Sequence, residues 1–172
     1  MLPFIFGGHY MTRSYTLYYK SPIGTIEIIG STKVIRSIMF CEEGEIENLQ
    51  ITETPMILIE CYNQLNEYFN GHRKQFTFPY EFEGTLFQKS VWNALEKMPY
   101  AKIASYKDIA SLIGNENAIR AVGNANSKNK LSIVIPCHRI IGSSGKLTGY
   151  AGGLWRKEWL LQHEKAIIKN NL

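Results

Sequence analysis

At Glu83-Gly84 this 172-residue chain changes texture, and that change limits what it can fold into. Before it, segments rich in β-branched and aromatic residues alternate with turn signals. Tyr15 to Lys20, Thr25 to Ile29 and Val34 to Phe40 predict strands, joined by Ser21-Pro22-Ile23-Gly24 and Gly30-Ser31-Thr32-Lys33. An acidic loop over Glu42 to Glu47 precedes a helix. Thr54 is its expected cap, Pro55 its first residue, and Ile59, Tyr62, Leu65 and Phe69 its buried face up to Gly71. Phe76, Phe78 and Tyr80 alternate as a further strand.

After Gly84 the pattern is one of short, individually capped helices. Thr85-x-x-Gln88 and Ser105-x-x-Asp108 read as capping boxes, and Phe87, Val91, Leu95 and Met98 share a face until Pro99. Gly114 closes the second helix, and Asn115 is the expected cap of a third that carries Arg120. Two helices across so tight a turn have the form of a helix-turn-helix, although other helical hairpins share the pattern. A last helix is expected from Leu154 to Lys165. The reading is an α+β chain with an N-terminal unit over 1–83, in which residues 1–10 ahead of Met11 are a candidate extension, and a C-terminal unit over 84–172.

Charge divides at the same place. Residues 1–84 hold 6 Lys+Arg against 10 Asp+Glu, and residues 85–172 hold 13 against 5. A net +8 on the second unit alone points to a polyanion bound there. No apolar run approaches the roughly 20 residues that a membrane span requires, and the first ten residues fit a signal peptide poorly. Cys41, Cys61 and Cys137 form no Cys-x-x-Cys pair and are odd in number, which speaks for a reducing, cytoplasmic setting. With His9, His72, His138 and His163 scattered, the spacing predicts no metal site.

Cys137 lies in Ile135-Pro136-Cys137-His138-Arg139, with Glu164 near the end of the last helix. A free thiol has a pKa of about 8.5 and needs a base or positive charge to act as a thiolate. His138 could take the proton if a group such as Glu164 fixed its tautomer. Adjacent residues on a regular strand face opposite ways, so a Cys137–His138 contact requires a turn or a bridging water, and Pro136 makes such a departure reasonable. A buried structural cysteine beside a satisfied core histidine is the competing reading of the pair alone.

The surrounding string discriminates between them. Ile135-Pro136-Cys137-His138-Arg139-Ile140-Ile141, Gly149-Tyr150-Ala151-Gly152-Gly153 and Lys157-Glu158-Trp159-Leu160-Leu161-x-His163-Glu164 resemble the methylated-DNA–protein-cysteine methyltransferases, as do Ser105-Tyr106 and Ala118-Ile119-Arg120-Ala121-Val122-Gly123. The resemblance covers about residues 85–165. It implies a ribonuclease-H-like N-terminal domain and a C-terminal winged helix-turn-helix domain. The activity it implies is irreversible, single-use transfer of an alkyl group from 6-O-alkylguanine in double-stranded DNA to Cys137, with 4-O-alkylthymine as a second candidate base.

By the same resemblance, Cys137, His138, Glu164 and Tyr106 are the catalytic set, and Tyr106 also helps to rotate the backbone of the target nucleotide. Arg120 is the finger that fills the stack when the base is extruded, on a slim helix with Asn115, Ala118 and Ala121 at the minor groove. The base pocket falls to Tyr150, Ala151, Gly152, Ile140 and Asn129. Lys102, Lys107, Lys128 and Lys130 are candidate phosphate contacts. The implied protein is a cytoplasmic monomer that needs no cofactor.

Two departures stand out. Asn129-Lys130-Leu131-Ser132 lacks the prolines of the family's Asn-Pro-x-Pro, and Ala151 replaces a serine found in some members. A non-enzymatic damage binder, a cysteine hydrolase and a sequence-reading transcription factor are the alternatives. The first lacks the cysteine, the second usually draws its pair from distant segments, and the third leaves the Cys-His-Glu set without a purpose.

Overall fold

The computed structural model describes residues 13–42 and 53–170, so the extension over residues 1–10 and the acidic loop beyond Glu42 lie outside the described residues. Strands β1 (Tyr15–Ser21), β2 (Gly24–Gly30) and β3 (Ile35–Phe40) form an antiparallel meander in that order. Ser21 pairs with Gly24 across a two-residue loop, and Gly24 takes a φ of 113°, which a side chain would resist. Ile26, Ile28, Ile35 and Ile38 are fully buried and meet Leu58, Leu65 and Tyr68 of helix α1 (Met56–Phe69).

Helix α1 departs from its expected phase. Pro55 occupies the cap position without a side-chain bond, so Thr54 is not the cap. The buried face is Ile57, Leu58, Cys61, Gln64, Leu65, Tyr68 and Phe69, while Ile59 and Tyr62 lie on the flank. Gln64 is tolerated inside because its amide donates to Thr77 Oγ1 at 2.8 Å and its carbonyl accepts from Thr77 N at 2.9 Å. Tyr62 keeps an edge contact with Tyr19 at 5.0 Å from its partly exposed position. At the helix end, Gly71 N and His72 N return to Tyr68 O and Glu67 O, and Gly71 takes the left-handed conformation of a Schellman cap.

The strand expected over residues 76–80 is a single bridge, Ile35 to Tyr80. Pro79 has no N–H for a ladder and Thr77 gives its own to Gln64, so the segment can add only Ile35 N to Pro79 O and Glu81 N to Ile35 O.

Beyond residue 84 the chain forms α2 (Leu86–Glu96), β4 (Ala104–Ser105), α3 (Tyr106–Leu112), α4 (Ile119–Ser127), a 3-10 turn (Cys137–Arg139), β5 (Ile140–Ile141) and α5 (Leu154–Asn170). Both capping boxes are present, Thr85 with Gln88 and Ser105 with Asp108. Gly114 N to Ser111 O and Asn115 N to Ala110 O close α3 in a second Schellman cap. Asn115 is therefore committed to the end of α3 and does not cap α4. The chain makes a further turn, Ala118 N to Asn115 O, and α4 starts four residues later with Ala118 at its cap position. Helix α5 runs past Lys165 to Asn170.

The two halves are joined by backbone. Ile38 N donates to Lys130 O at 2.7 Å and Ser132 N to Ile38 O at 2.9 Å, so β3 holds the segment that leads to Cys137. Strands β4 and β5 pair in parallel, bringing the start of α3 beside the residues that follow Cys137.

Candidate active site

The approach to Cys137 folds by two tight turns. Val134 N bonds Ser132 O at 2.8 Å around Ile133, whose φ of 72° is a strained conformation for a β-branched residue. Cys137 N then bonds Ile135 O at 2.7 Å around Pro136, with φ −79° and ψ 59°, an inverse γ-turn. This puts Cys137 at the start of the 3-10 turn, so the departure from strand geometry expected at Pro136 is present. The thiol is 3% exposed.

Asn129 braces this loop from within. Its Nδ2 donates to Ile135 O at 2.9 Å and to Cys137 Sγ at 3.1 Å, and its Oδ1 accepts from Leu131 N at 2.9 Å. From α4, Asn126 Nδ2 reaches Cys137 O at 3.4 Å.

Glu164, on α5 and fully buried, collects the other side of the site. Its Oε1 lies 2.7 Å from His138 Nε2, 2.9 Å from Tyr68 Oη and 3.0 Å from Arg139 Nη2. Its Oε2 accepts from Arg139 Nε at 2.9 Å and from Ala101 N at 3.0 Å. Burial alone would raise this carboxyl, but His138 and Arg139 overcome it and hold it far below the usual carboxylate range. An ionised carboxylate only accepts, so the shared proton sits on His138 Nε2, leaving Nδ1 with the lone pair when the ring is neutral. Nδ1 is buried and bonded to no protein group. Burial lowers the pKa of His138 despite Glu164, which keeps the ring neutral and basic.

Burial also pushes the Cys137 thiol up, opposed by Asn129, by the charge of Lys157 and by the Cys137 and His138 amides. The resting group is a thiol that must give up a proton. Lys157 is itself fully buried, donates to Thr148 O at 2.7 Å, and is lowered by burial to about 8. Its charge acts on Cys137 only below that pH. Replacing it by the apolar Lys157→Met should slow alkylation of Cys137 by iodoacetamide at pH 7, with the deficit shrinking as the pH rises through 8. Peptide-mapped labelling rates measure this and separate Cys137 from Cys41 and Cys61.

The loop over residues 148–153 faces this array. Thr148 O accepts from both Tyr106 Oη, at 2.9 Å, and Lys157. Tyr106 is the first residue of α3, and burial raises its hydroxyl pKa. Tyr150 is buried, with the Ser132 side chain beside its hydroxyl. Ala151 is exposed. A side chain at Gly152 would run into Phe40 and Tyr150, at 2.8 and 2.9 Å. Ile140 is buried in β5 against Ala104.

Helix α4 lies alongside. Val122 and Ala125 face the core, where Trp92 Nε1 bonds Ala125 O at 2.9 Å, and Gly123 lies over the Tyr106 ring. Arg120 and Ala121 are exposed, Ala118 is half-buried and Asn115 is exposed in the turn before the helix. The small residues thus divide between packing and an open face. Lys102, Lys107, Lys128 and Lys130 are all exposed.

Sequence reasoning missed four residues here: Tyr68, Asn126, Arg139 and Lys157. The last two stand inside the quoted motifs, but nothing in their spacing signals burial. Tyr68 comes from the other half of the chain.

A basic helix-turn-helix unit built around a buried thiol, with a histidine fixed by a carboxylate, defines a DNA-directed protein with a cysteine nucleophile. Two family models match: "6-O-methylguanine DNA methyltransferase, ribonuclease-like domain" over residues 14–82 and "6-O-methylguanine DNA methyltransferase, DNA binding domain" over residues 86–166. The chain is 44% identical to the methylated-DNA–protein-cysteine methyltransferase of Methanosarcina acetivorans, over 87% of this chain and 97% of that one. It is 41% identical to the constitutive enzyme of that name from Bacillus subtilis, over 87% and 94%. Its fold matches that of Mycobacterium tuberculosis OGT crystallised in complex with DNA, with a TM-score of 0.77 and 40% identity over 90% and 93% of the two chains. The chain belongs to the methylated-DNA–protein-cysteine methyltransferase family.

Proposed function

We propose that this protein repairs DNA by moving the alkyl group of 6-O-alkylguanine in a duplex onto Cys137, once per molecule. The observation that carries the reading is the array Glu164–His138–Cys137–Asn129. In it a carboxylate 2.7 Å from Nε2 leaves Nδ1 of the residue that follows Cys137 unbonded and able to accept a proton, and the cysteine sulfur already accepts a hydrogen bond from Asn129. The thiol proton passes to Nδ1 through a bridging water. The sulfur then forms a bond to the alkyl carbon while the carbon–oxygen bond at guanine position 6 breaks, and the leaving base is protonated from the Tyr106 side. The resulting thioether is stable, so the protein is spent.

The division of labour follows the chain, with a boundary near 83/84 that the two family matches, ending at 82 and starting at 86, support. The C-terminal unit binds duplex DNA through α4, with Arg120 filling the stack and Ala118, Ala121 and Asn115 lining the groove. Tyr150, Ala151, Gly152 and Ile140 receive the flipped base, and 4-O-alkylthymine is a second candidate for this pocket. The protein works as a monomer in the cytoplasm. No described helix is long and apolar enough to cross a membrane, and Cys41, Cys61 and Cys137 are all free, as in a reducing compartment.

Incubation with a duplex containing 6-O-methylguanine should add one methyl to the intact mass, and peptide mapping should locate it on Cys137. With substrate in excess, product should stop at one equivalent. Continued turnover, or a methyl on Cys41 or Cys61, would sink the proposal.

A further inference from the structure

Tyr68 is the one side chain of α1 that reaches Glu164, and it does so from the half of the molecule that does not hold Cys137. It is fully buried and donates its hydroxyl to Oε1, the same oxygen that holds His138 Nε2. Its main chain is gripped by the next residue along α5: His163 Nε2 lies 2.9 Å from Tyr68 O, and since a carbonyl only accepts, His163 donates. Adjacent residues of α5 therefore seize the two ends of one tyrosine. Its ring is wedged between Phe69, Phe76, Tyr100 and His163, with centroids 5.3 to 6.2 Å away, so the hydroxyl has little freedom to leave Oε1.

Three donors converge on Oε1, and they do not act alike. Arg139 neutralises the carboxylate and His138 is oriented by it. Tyr68 carries no charge, so its bond spreads the negative charge of the oxygen facing the imidazole and weakens the pull of that oxygen on a proton at His138. We infer that Tyr68 is a positioning residue of the alkyl-transfer site, through which the N-terminal unit fixes Glu164 and keeps His138 a neutral base. The inference rests on the function proposed above. The other ionisable groups acting on the pair are Arg139 of the 3-10 turn, Tyr100 after α2, Tyr150 of the 148–153 loop and Lys157 of α5. Tyr100 is raised by burial to about 12, so it stays protonated along with Tyr68 and adds no charge across the working range.

The test is Tyr68→Phe, which keeps the ring and removes one oxygen. Without the hydroxyl, Glu164 stabilises the imidazolium more strongly. The His138 titration, followed by NMR of its ring protons, should move up by on the order of one pH unit. The acid limb of single-turnover methyl transfer from a 6-O-methylguanine duplex should move with it. The rate below the limb should fall by up to about tenfold, since one unit is a tenfold change in the neutral fraction, and the plateau rate should hold. A merely structural tyrosine would lower the melting temperature and leave both midpoints in place, and that result overturns the inference. A Tyr68→Phe protein that does not fold overturns it as well, in favour of a packing role. Failure of the unaltered protein to accept a methyl group refutes the proposed function instead. The NMR titration needs no activity, so the two failures are distinguishable.

Discussion

Glu164→Gln is expected to lower stability by about 3–5 kcal/mol, because it removes one partner of a buried charge pair and leaves the other behind. Arg139 is 6% exposed and spends two of its three bonds on Glu164, the third going to Met98 O. An amide of the same shape keeps one acceptor but turns an N–H₂ group toward a donor, His138, Arg139, Tyr68 or the Ala101 amide. In a chain of this size the loss corresponds to a drop in melting temperature on the order of 10 °C, measurable by calorimetry.

The same substitution should change the pH dependence of stability, and the signs can be worked out. Glu164 is depressed in the fold, so its contribution is fully present above the unfolded value of 4.5 and disappears as the pH falls through the folded one. His138 is also depressed, so the unfolded chain takes up a proton first as the pH drops below 6.5, and stability falls with it. The unaltered protein should therefore lose stability progressively below about pH 6.5, and the gap to Glu164→Gln should widen in mild acid, where His138 takes up its proton without a carboxylate, and narrow below about pH 4.5 as Glu164 itself becomes protonated. A gap that stays constant from pH 7 to pH 3 would contradict the ionised hub. Methyl transfer should fall with stability, because a glutamine cannot hold an imidazolium as a carboxylate does.

Arg120→Ala should behave in the opposite way, costing activity and almost no stability. Arg120 is exposed on the second residue of α4 and bonds no described residue, so truncation should change stability by less than about 0.5 kcal/mol. If its guanidinium fills the place of an extruded base, its loss restores an unstacking cost of a few kcal/mol. The single-turnover rate on a 6-O-methylguanine duplex should then drop by about 100-fold. Reaction with free 6-O-benzylguanine, which has no stack to leave, should be unchanged. Equal losses on both substrates would show that Arg120 acts on the chemistry or the fold, not on extrusion.

Those two residues mark how unevenly the site could be read from the sequence. Arg120 was placed by a motif, and its exposure follows from a helix face whose Val122 and Ala125 turn inward. The capping boxes at Thr85 and Ser105 were legible for the same reason: a cap bonds within three residues, and its chemistry is written in the residues themselves. Asn115 was misread because two local rules competed for it. Closing α3 behind Gly114 took its amide, leaving α4 to start later. On α1 the expected Leu65 and Phe69 are buried but Ile59 and Tyr62 are not, because apolar residues occur on both candidate stripes of its first half. The sheet turned Ile57, Leu58 and Cys61 inward in that half, and Thr77 made Gln64 acceptable inside.

The sequence by itself placed the change of texture near Gly84 and the helix caps, which depend on residue identity and short-range spacing, and through its family motifs it pointed to Cys137, His138 and Glu164. Only the tertiary structure decided which histidine nitrogen meets Glu164, that a lysine at position 157 is buried, and that a tyrosine 96 residues away from Glu164 shares its oxygen with His138. The physical reason is separation along the chain. A helix cap or a turn is closed by neighbours, whereas the proton on His138 is fixed by a carboxylate brought up on α5, whose own charge depends on groups from α1, the end of α2 and the 3-10 turn packing around it.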